Sequence, residues 1–169
     1  MTSEININRG LRDVYFDRTA SSYIDGRGGV LLYRGYNIHD LALKSTYEET
    51  AYLLLFGELP TGKQLSEFDT SLKVAREIPS EVIGIIQTLK KGHPMDVLRT
   101  AVSALSAFDA ERGDNSLDAT RRKGIRLCSQ VPTIITTHHA LREGRDPVTP
   151  SQTLSHAANF LYMFNGSEP

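Results

Sequence analysis

The sequence predicts a mainly α-helical domain with a small antiparallel β element at its amino end. Three observations predict this. Short β-type runs, Tyr23-Ile24 and Val30-Leu31-Leu32-Tyr33, flank the turn-forming stretch Asp25 to Gly29. From Asn37 onward apolar residues recur at spacings of three and four rather than two. Ser, Thr or Pro at starts and Gly or Pro at stops divide that part of the chain into segments of helical length.

The elements follow in order. Tyr15-Phe16 is a further β-type pair. In Asp25-Gly26-Arg27-Gly28-Gly29 the glycines are free to take positive φ, so one or two hairpins are expected there. A phosphate-cradling loop also uses such glycines, but it leads into a helix N-terminus, and this one leads into a strand. Ile38, Leu41 and Ala42 give a short apolar helical face. Thr46 with Glu49 three residues later forms a capping box, and the helix carrying Ala51, Leu54 and Leu55 stops at Gly57, before Pro60. Thr61 or Gly62 opens a third helix with Leu65, Phe68, Leu72 and Ala75 on one face. Pro79-Ser80-Glu81 starts a fourth, with Val82, Ile85, Ile86 and Leu89 inward.

His93-Pro94 starts a fifth helix, with proline in the first turn where its missing N–H costs nothing. Its apolar face is Val97, Ala101, Ala104, Leu105 and Phe108, and its small residues admit a close helical neighbour. Asp109 to Ser116 reads as a charged loop and Arg121-Arg122-Lys123 as a solvated basic face. A long helix is expected from about Leu117 to Gly144, interrupted and bent at Pro132. The last helix, Ser151 to Phe164, carries Leu154, Ala157, Ala158, Leu161 and Tyr162. The chain divides into a β-hairpin region, residues 1–36, and a helical region, residues 37–169, with no internal repeat.

A chain of 169 residues can bury roughly 70% of its unfolded surface. A hydrophobic share of 40% and a charged share of 23% are those of an ordinary globular protein. The formal net charge of -1 gives no long-range attraction to nucleic acid or anionic membranes, so neither is expected as a partner. Cys128 is the only cysteine, which builds no disulfide framework and fits a reducing compartment. Met1 to Asn8 has no apolar core of a secretory signal, and runs such as Tyr52 to Phe56 are too short to span a bilayer. The expected location is the cytoplasm.

Candidate chemistry is sparse. His138 and His139 are adjacent and point about 100° apart on a helix, so they do not share a ligand, and no i, i+4 histidine pair exists. No metal site is expected. His93 reads as a helix cap and His39 as a surface residue near a helix start. Cys128 lies on the apolar side of the long helix and reads as structural. Glu48, Glu49, Asp69, Glu77 and Glu81 are placed on helix starts or solvent faces, with no catalytic pairing.

Four segments carry a resemblance. Gly10 to Pro60 places the turn at Asp25 to Gly29, the pair Tyr33-Arg34-Gly35-Tyr36 and the stop Leu55-Phe56-Gly57-Glu58-Leu59-Pro60 in one order. Gly92-His93-Pro94-Met95-Asp96-Val97-Leu98-Arg99, Thr133 to Arg142, and Ser155-His156-Ala157-Ala158-Asn159-Phe160-Leu161-Tyr162-Met163 follow at the appropriate spacing. Together they resemble the citrate synthase and 2-methylcitrate synthase family, from about Arg9 to Pro169.

The resemblance implies the amino-terminal part of that family's helical large domain, incomplete and without the small domain. It implies Claisen-type joining of acetyl-CoA or propionyl-CoA to oxaloacetate, with the CoA thioester as substrate and no covalently bound cofactor. The family's catalytic histidines lie in His-Gly-Gly-Ala-Asn and Gly-His-Arg segments, followed by its catalytic Asp. Neither segment occurs here, so no residue of this chain is assigned a catalytic role and the chain alone is expected to be inactive. Arg9 matches a family arginine that reaches the CoA phosphates of the partner subunit. A homodimer through helices at about 94–108 and 117–144 is implied. The competing expectation is a non-catalytic helical dimerisation or binding module derived from the same family.

Overall fold

A computed structural model describes residues 10, 14–15 and 17–167, in which three short strands precede seven α-helices. β1 (Ser22–Asp25) pairs antiparallel with β2 (Val30–Tyr33), with Ser22 opposite Tyr33 and Asp25 opposite Val30. The Asp25 carboxylate closes the intervening turn by accepting from the amides of Arg27 at 3.0 Å and Gly28 at 2.9 Å. β3 (Tyr36–Asn37) pairs with β2 across a two-residue turn, Arg34 (φ 49) and Gly35 (φ 89). Positive φ at both central residues matches the right-handed strand twist, but it strains a non-glycine residue. The Arg34 guanidinium is held by donating to the Leu54 carbonyl at 3.1 Å, which ties the sheet to the second helix. Of the one or two hairpins expected, two are present, whereas Tyr15 lies outside any strand and Phe16 lies outside the described residues. The fold is mainly α with a small antiparallel sheet, as expected, and not all-α.

Helix α1 (Ile38–Lys44) leads to α2 (Tyr47–Phe56), whose Thr46–Glu49 capping box forms as expected and which ends on Gly57 at φ 97. α3 (Gly62–Val74) has a second capping box, Thr61 with Gln64. α4 (Ser80–Thr88) and α5 (Pro94–Leu105) follow, and a single 3-10 turn (Ser106–Phe108) closes α5. α6 (Leu117–Arg142) runs unbroken through Pro132, so the expected interruption does not occur. α7 is His156–Asn165, starting later than expected because Ser155, not Ser151, caps it.

Two apolar clusters sit against α6. One joins Val82 and Ile86 of α4, Val97, Ala101 and Leu105 of α5, and Ile134 of α6. The other joins Ala51 and Tyr52 of α2 to Phe68 and Leu72 of α3, with Ile125 and Cys128 of α6 against them. The Tyr52 ring stacks on Phe56 at 4.3 Å and meets Phe68 edge-on at 5.4 Å.

The expected charged loop and basic triplet turn out to be one structure. Arg126 pairs with Asp109 at 2.8 Å and Glu111 at 2.9 Å, Arg122 also pairs with Glu111, and Lys123 donates to the Asp114 carbonyl. Glu111 is held down to about 2 by hydrogen bonds from Arg122 and Arg126. The triplet is therefore not simply solvated: Arg122 and Lys123 pin the loop.

Leu72 is fully buried in the α2–α3 cluster. Leu72→Ala is expected to cost about 2–5 kcal/mol in denaturant unfolding, and Thr46→Ala about 1 kcal/mol through loss of the cap. Equal losses in the two variants would show that the cluster relaxes around the missing side chain.

Candidate functional site

The buried polar groups converge at the start of α7. Glu48, in the first turn of α2, is 9% exposed, and its Oε1 accepts from the His156 amide at 2.8 Å. A carboxylate at a helix start satisfies an orphan N–H and complements the positive end of the helix dipole. Arg76, just past α3, is 1% exposed and donates to the carbonyls of Ser151 and, at 2.9 Å, Leu154. Its own carbonyl accepts from the Thr133 hydroxyl of α6 at 2.8 Å. The Asn159 side chain accepts from the Ser151 amide at 2.8 Å. α2 is thus fastened to the first residue of α7, and the corner after α3 and Asn159 of α7 to the segment before it, through backbone polar groups that need partners once buried. α6 holds the same corner through Thr133.

The His156 ring stacks on Tyr47, with centroids 4.2 Å apart and planes 7° from parallel. Its Nδ1 is buried with no hydrogen-bond partner among the described residues, as is the Arg76 Nε. Burial, then Arg76, pushes the imidazole below its usual range, against the pull of Glu48. Burial pushes the Tyr47 hydroxyl up to about 12, with Cys128 and Glu48 adding to it. Burial also raises the Cys128 thiol, so it stays protonated and unreactive near neutrality. Beside these groups an apolar groove of about 670 Å³ is lined by Tyr47, Cys128, Val131, Pro132, Phe160 and Leu161, among others.

The other histidines do structural work. His93 caps α5, its Nδ1 accepting from the Met95 amide at 3.3 Å, and His39 is exposed in the first turn of α1. His138 is buried with Nε2 3.2 Å from the Lys90 carbonyl, while His139 stacks on Phe164 at 4.0 Å. His138 and His139 point apart, as expected of adjacent helical residues. Among the described residues no three His, Cys, Asp or Glu side chains gather around a common point. Arg9 lies outside the described residues.

Glu48 stands at a helix start, as expected, but is buried there, and α7 turns His156, Asn159 and Met163 inward while Leu161 is 46% exposed. Asn159 points in to accept from the Ser151 amide and Glu48 to accept from the His156 amide, whereas the His156 ring is held by stacking on Tyr47. For Arg76 and Glu48 a signal was present in the sequence. Arg76 continues the i, i+4 stripe Phe68–Leu72–Arg76, and Glu48 stands at helical spacing from the buried Ala51 and Tyr52.

Comparison with known proteins places this architecture. The family model described as citrate synthase, C-terminal domain, matches residues 10–169. The chain belongs to the citrate synthase family. It is 43% identical over 165 residues to a citrate synthase of Deinococcus radiodurans, covering 97% of this chain and 44% of that protein. It is 37% identical over 165 residues to a 2-methylcitrate synthase of Mycobacterium tuberculosis, covering 97% of this chain and 42% of that one. The crystal structure of citrate synthase from Pyrobaculum aerophilum superposes with a TM-score of 0.90 at 37% identity, over 99% of this chain and 46% of that one. A citrate synthase from Thermoplasma acidophilum, solved with carboxymethyl coenzyme A and oxaloacetate, superposes with a TM-score of 0.90 at 27% identity, over 96% of this chain and 43% of that one. The chain therefore spans less than half the length of the citrate synthase relatives it matches. No helix among its described residues is long and apolar enough to cross a membrane.

Removing the polar anchors at the α7 start should weaken this scaffold. Arg76→Met is expected to cost about 1–3 kcal/mol in denaturant unfolding, because two carbonyls lose their partner. Glu48→Gln, which keeps an oxygen to accept from the His156 amide, should cost less than Glu48→Ala. Equal losses in the two Glu48 variants would show that the charge, not the acceptor, holds α7.

Proposed function

We propose that this chain is the amino-terminal part of the large domain of a condensing enzyme that joins acetyl-CoA or propionyl-CoA to oxaloacetate, giving citrate or 2-methylcitrate and free CoA. The observation that carries the reading is the 43% identity to a citrate synthase over 97% of the chain. Similarity to a 2-methylcitrate synthase at 37% supports keeping propionyl-CoA as the second donor. On this reading residues 1–36 form the hairpin region and residues 37–169 the helical part of that domain, and the small domain lies outside these 169 residues.

The reaction requires a carboxylate to take a proton from the acyl methyl group, and histidines to hydrogen-bond the thioester oxygen and polarise the oxaloacetate carbonyl. The His-Gly-Gly-Ala-Asn and Gly-His-Arg segments that carry such histidines in the family do not occur in these residues. The part played by this chain is the frame: α5 and α6 provide a dimer surface, and Arg9 binds the CoA phosphates of the partner subunit, a task suited to a forked guanidinium. Alone, the 169 residues are inactive. The reading places the protein in the cytoplasm, in accord with its single cysteine.

Release of CoA thiol from acetyl-CoA and propionyl-CoA in the presence of oxaloacetate tests this. The chain alone should release none above the no-protein rate. A chimera continued with the remaining length of the Deinococcus radiodurans relative should turn over. Turnover by the chain alone would overturn the assignment of catalysis to other residues, and an inactive but folded chimera would favour a non-catalytic binding module. In an active chimera, Arg9→Ala should raise KM for acetyl-CoA about tenfold, the equivalent of about 1.4 kcal/mol, with KM for oxaloacetate unchanged.

A further inference from the structure

His156 is buried, stacked and short of one hydrogen bond, and none of the family's catalytic segments includes it. Its neighbours come from every element packed on the α7 start. α2 contributes the Tyr47 ring and the Glu48 carboxylate, and the corner after α3 contributes the Arg76 guanidinium. α6 contributes the Cys128 thiol, which lines the same groove. Asp69 stands behind Arg76 but is already paired with Lys73 at 2.7 Å. At the far end of α7, His139 of α6 stacks on Phe164.

A neutral imidazole fits this setting because one ring nitrogen needs no donor role. A protonated ring donates from both nitrogens, and Nδ1 has no acceptor among the described residues. The added charge would also be buried close to Arg76. Glu48 and the face of Tyr47 attract a cation, but Glu48 Oε1 is already engaged by the His156 amide. Burial and Arg76 together outweigh that attraction.

We propose that His156 is an acid-operated release for α7: a proton taken up by its buried ring loosens the α7 start from Tyr47, Glu48 and Arg76 and opens the groove shared by α2, α6 and α7. The docked imidazole is held below its usual value, so the docked state binds fewer protons than the released one. Docking is at full strength above about pH 6.5, the ordinary imidazole value, and weakens as pH falls through it toward the docked value. The proposal is independent of the condensing reaction.

Hydrogen exchange of the 169-residue chain between pH 7.5 and pH 5, corrected for intrinsic exchange rates, tests it in three forms: wild type, His156→Gln and His139→Gln. The expected result is protection in α7 that falls with pH in wild type and His139→Gln, by tenfold for each unit by which the ring is depressed. Protection in α3 and α5 should hold, and His156→Gln should abolish the α7 response. A flat α7 response in wild type, an equal response in His156→Gln, or loss of protection in all helices together would overturn the proposal. If His156→Gln does not fold, the ring-proton titration of wild-type His156 decides: a midpoint below about 6.5 supports it, and one at or above that value overturns it.

Discussion

The constraint on which the rest of the fold depends is that α6 buries more than one side at once. Ile125 and Cys128 pack against the α2–α3 cluster, and Ile134 packs into the α4–α5 cluster. Met163 of α7, 1% exposed, lies against Thr133 and Thr136 on a further side. Leu127 and Ile135 stay on an exposed side of α6, but on its covered sides the polar residues it keeps must find partners within the protein. Thr133 donates to the Arg76 carbonyl, and Thr136 returns its hydroxyl to the Pro132 carbonyl at 3.0 Å. Close approach needs small residues as well: a Cβ at Gly124 would stand 3.0 Å from Leu55 Cδ2.

The same demand explains why the loop before α6 is held rather than loose. α6 can serve two clusters only if its first turns are fixed, and Ser116 capping alone orients just one turn. Arg121 adds a grip on α2, lying over the Phe56 ring at 5.2 Å. Arg122, Lys123 and Arg126 add grips on the loop, and several charges sharing partners constrain geometry more than any isolated surface pair.

Most of this fold was legible because its local signals agree with its packing. Thr46 with Glu49, Gly57, and Pro94 after His93 mark ends that the structure keeps. The apolar stripes of α3 and α4 are buried where periodicity puts them, at Phe68, Leu72, Val82 and Ile86. The failures arise where tertiary partners overrule local preference. Pro132 loses one backbone bond, yet the packing on several sides of α6 carries the helix through it. Glu48 reads only as a helix-start or surface carboxylate, and Arg76 and His156 are assigned no role, because their partners lie far away in sequence: periodicity along one chain does not register a carboxylate accepting from an amide 108 residues on. Arg9 rests on the resemblance alone, since neither spacing nor charge distinguishes it from the other arginines.

The polar anchoring of α7 has a consequence that apolar burial would not. Apolar contact is non-directional, and a helix held only by Met163 and its neighbours could slide or rotate along α6 at modest cost. Glu48 on the His156 amide, Arg76 on the Ser151 and Leu154 carbonyls, and Asn159 on the Ser151 amide each accept one register only. Displacement of α7 by a turn would leave a buried carboxylate and a buried guanidinium without partners, a far larger penalty than the loss of a few contacts. The anchoring therefore makes α7 a two-position element, docked or released, rather than a continuously adjustable one. On the release proposed for His156, a proton on its buried ring changes the balance between those positions. A proton on exposed His39 or on the α5-capping His93 would leave every one of these bonds in place.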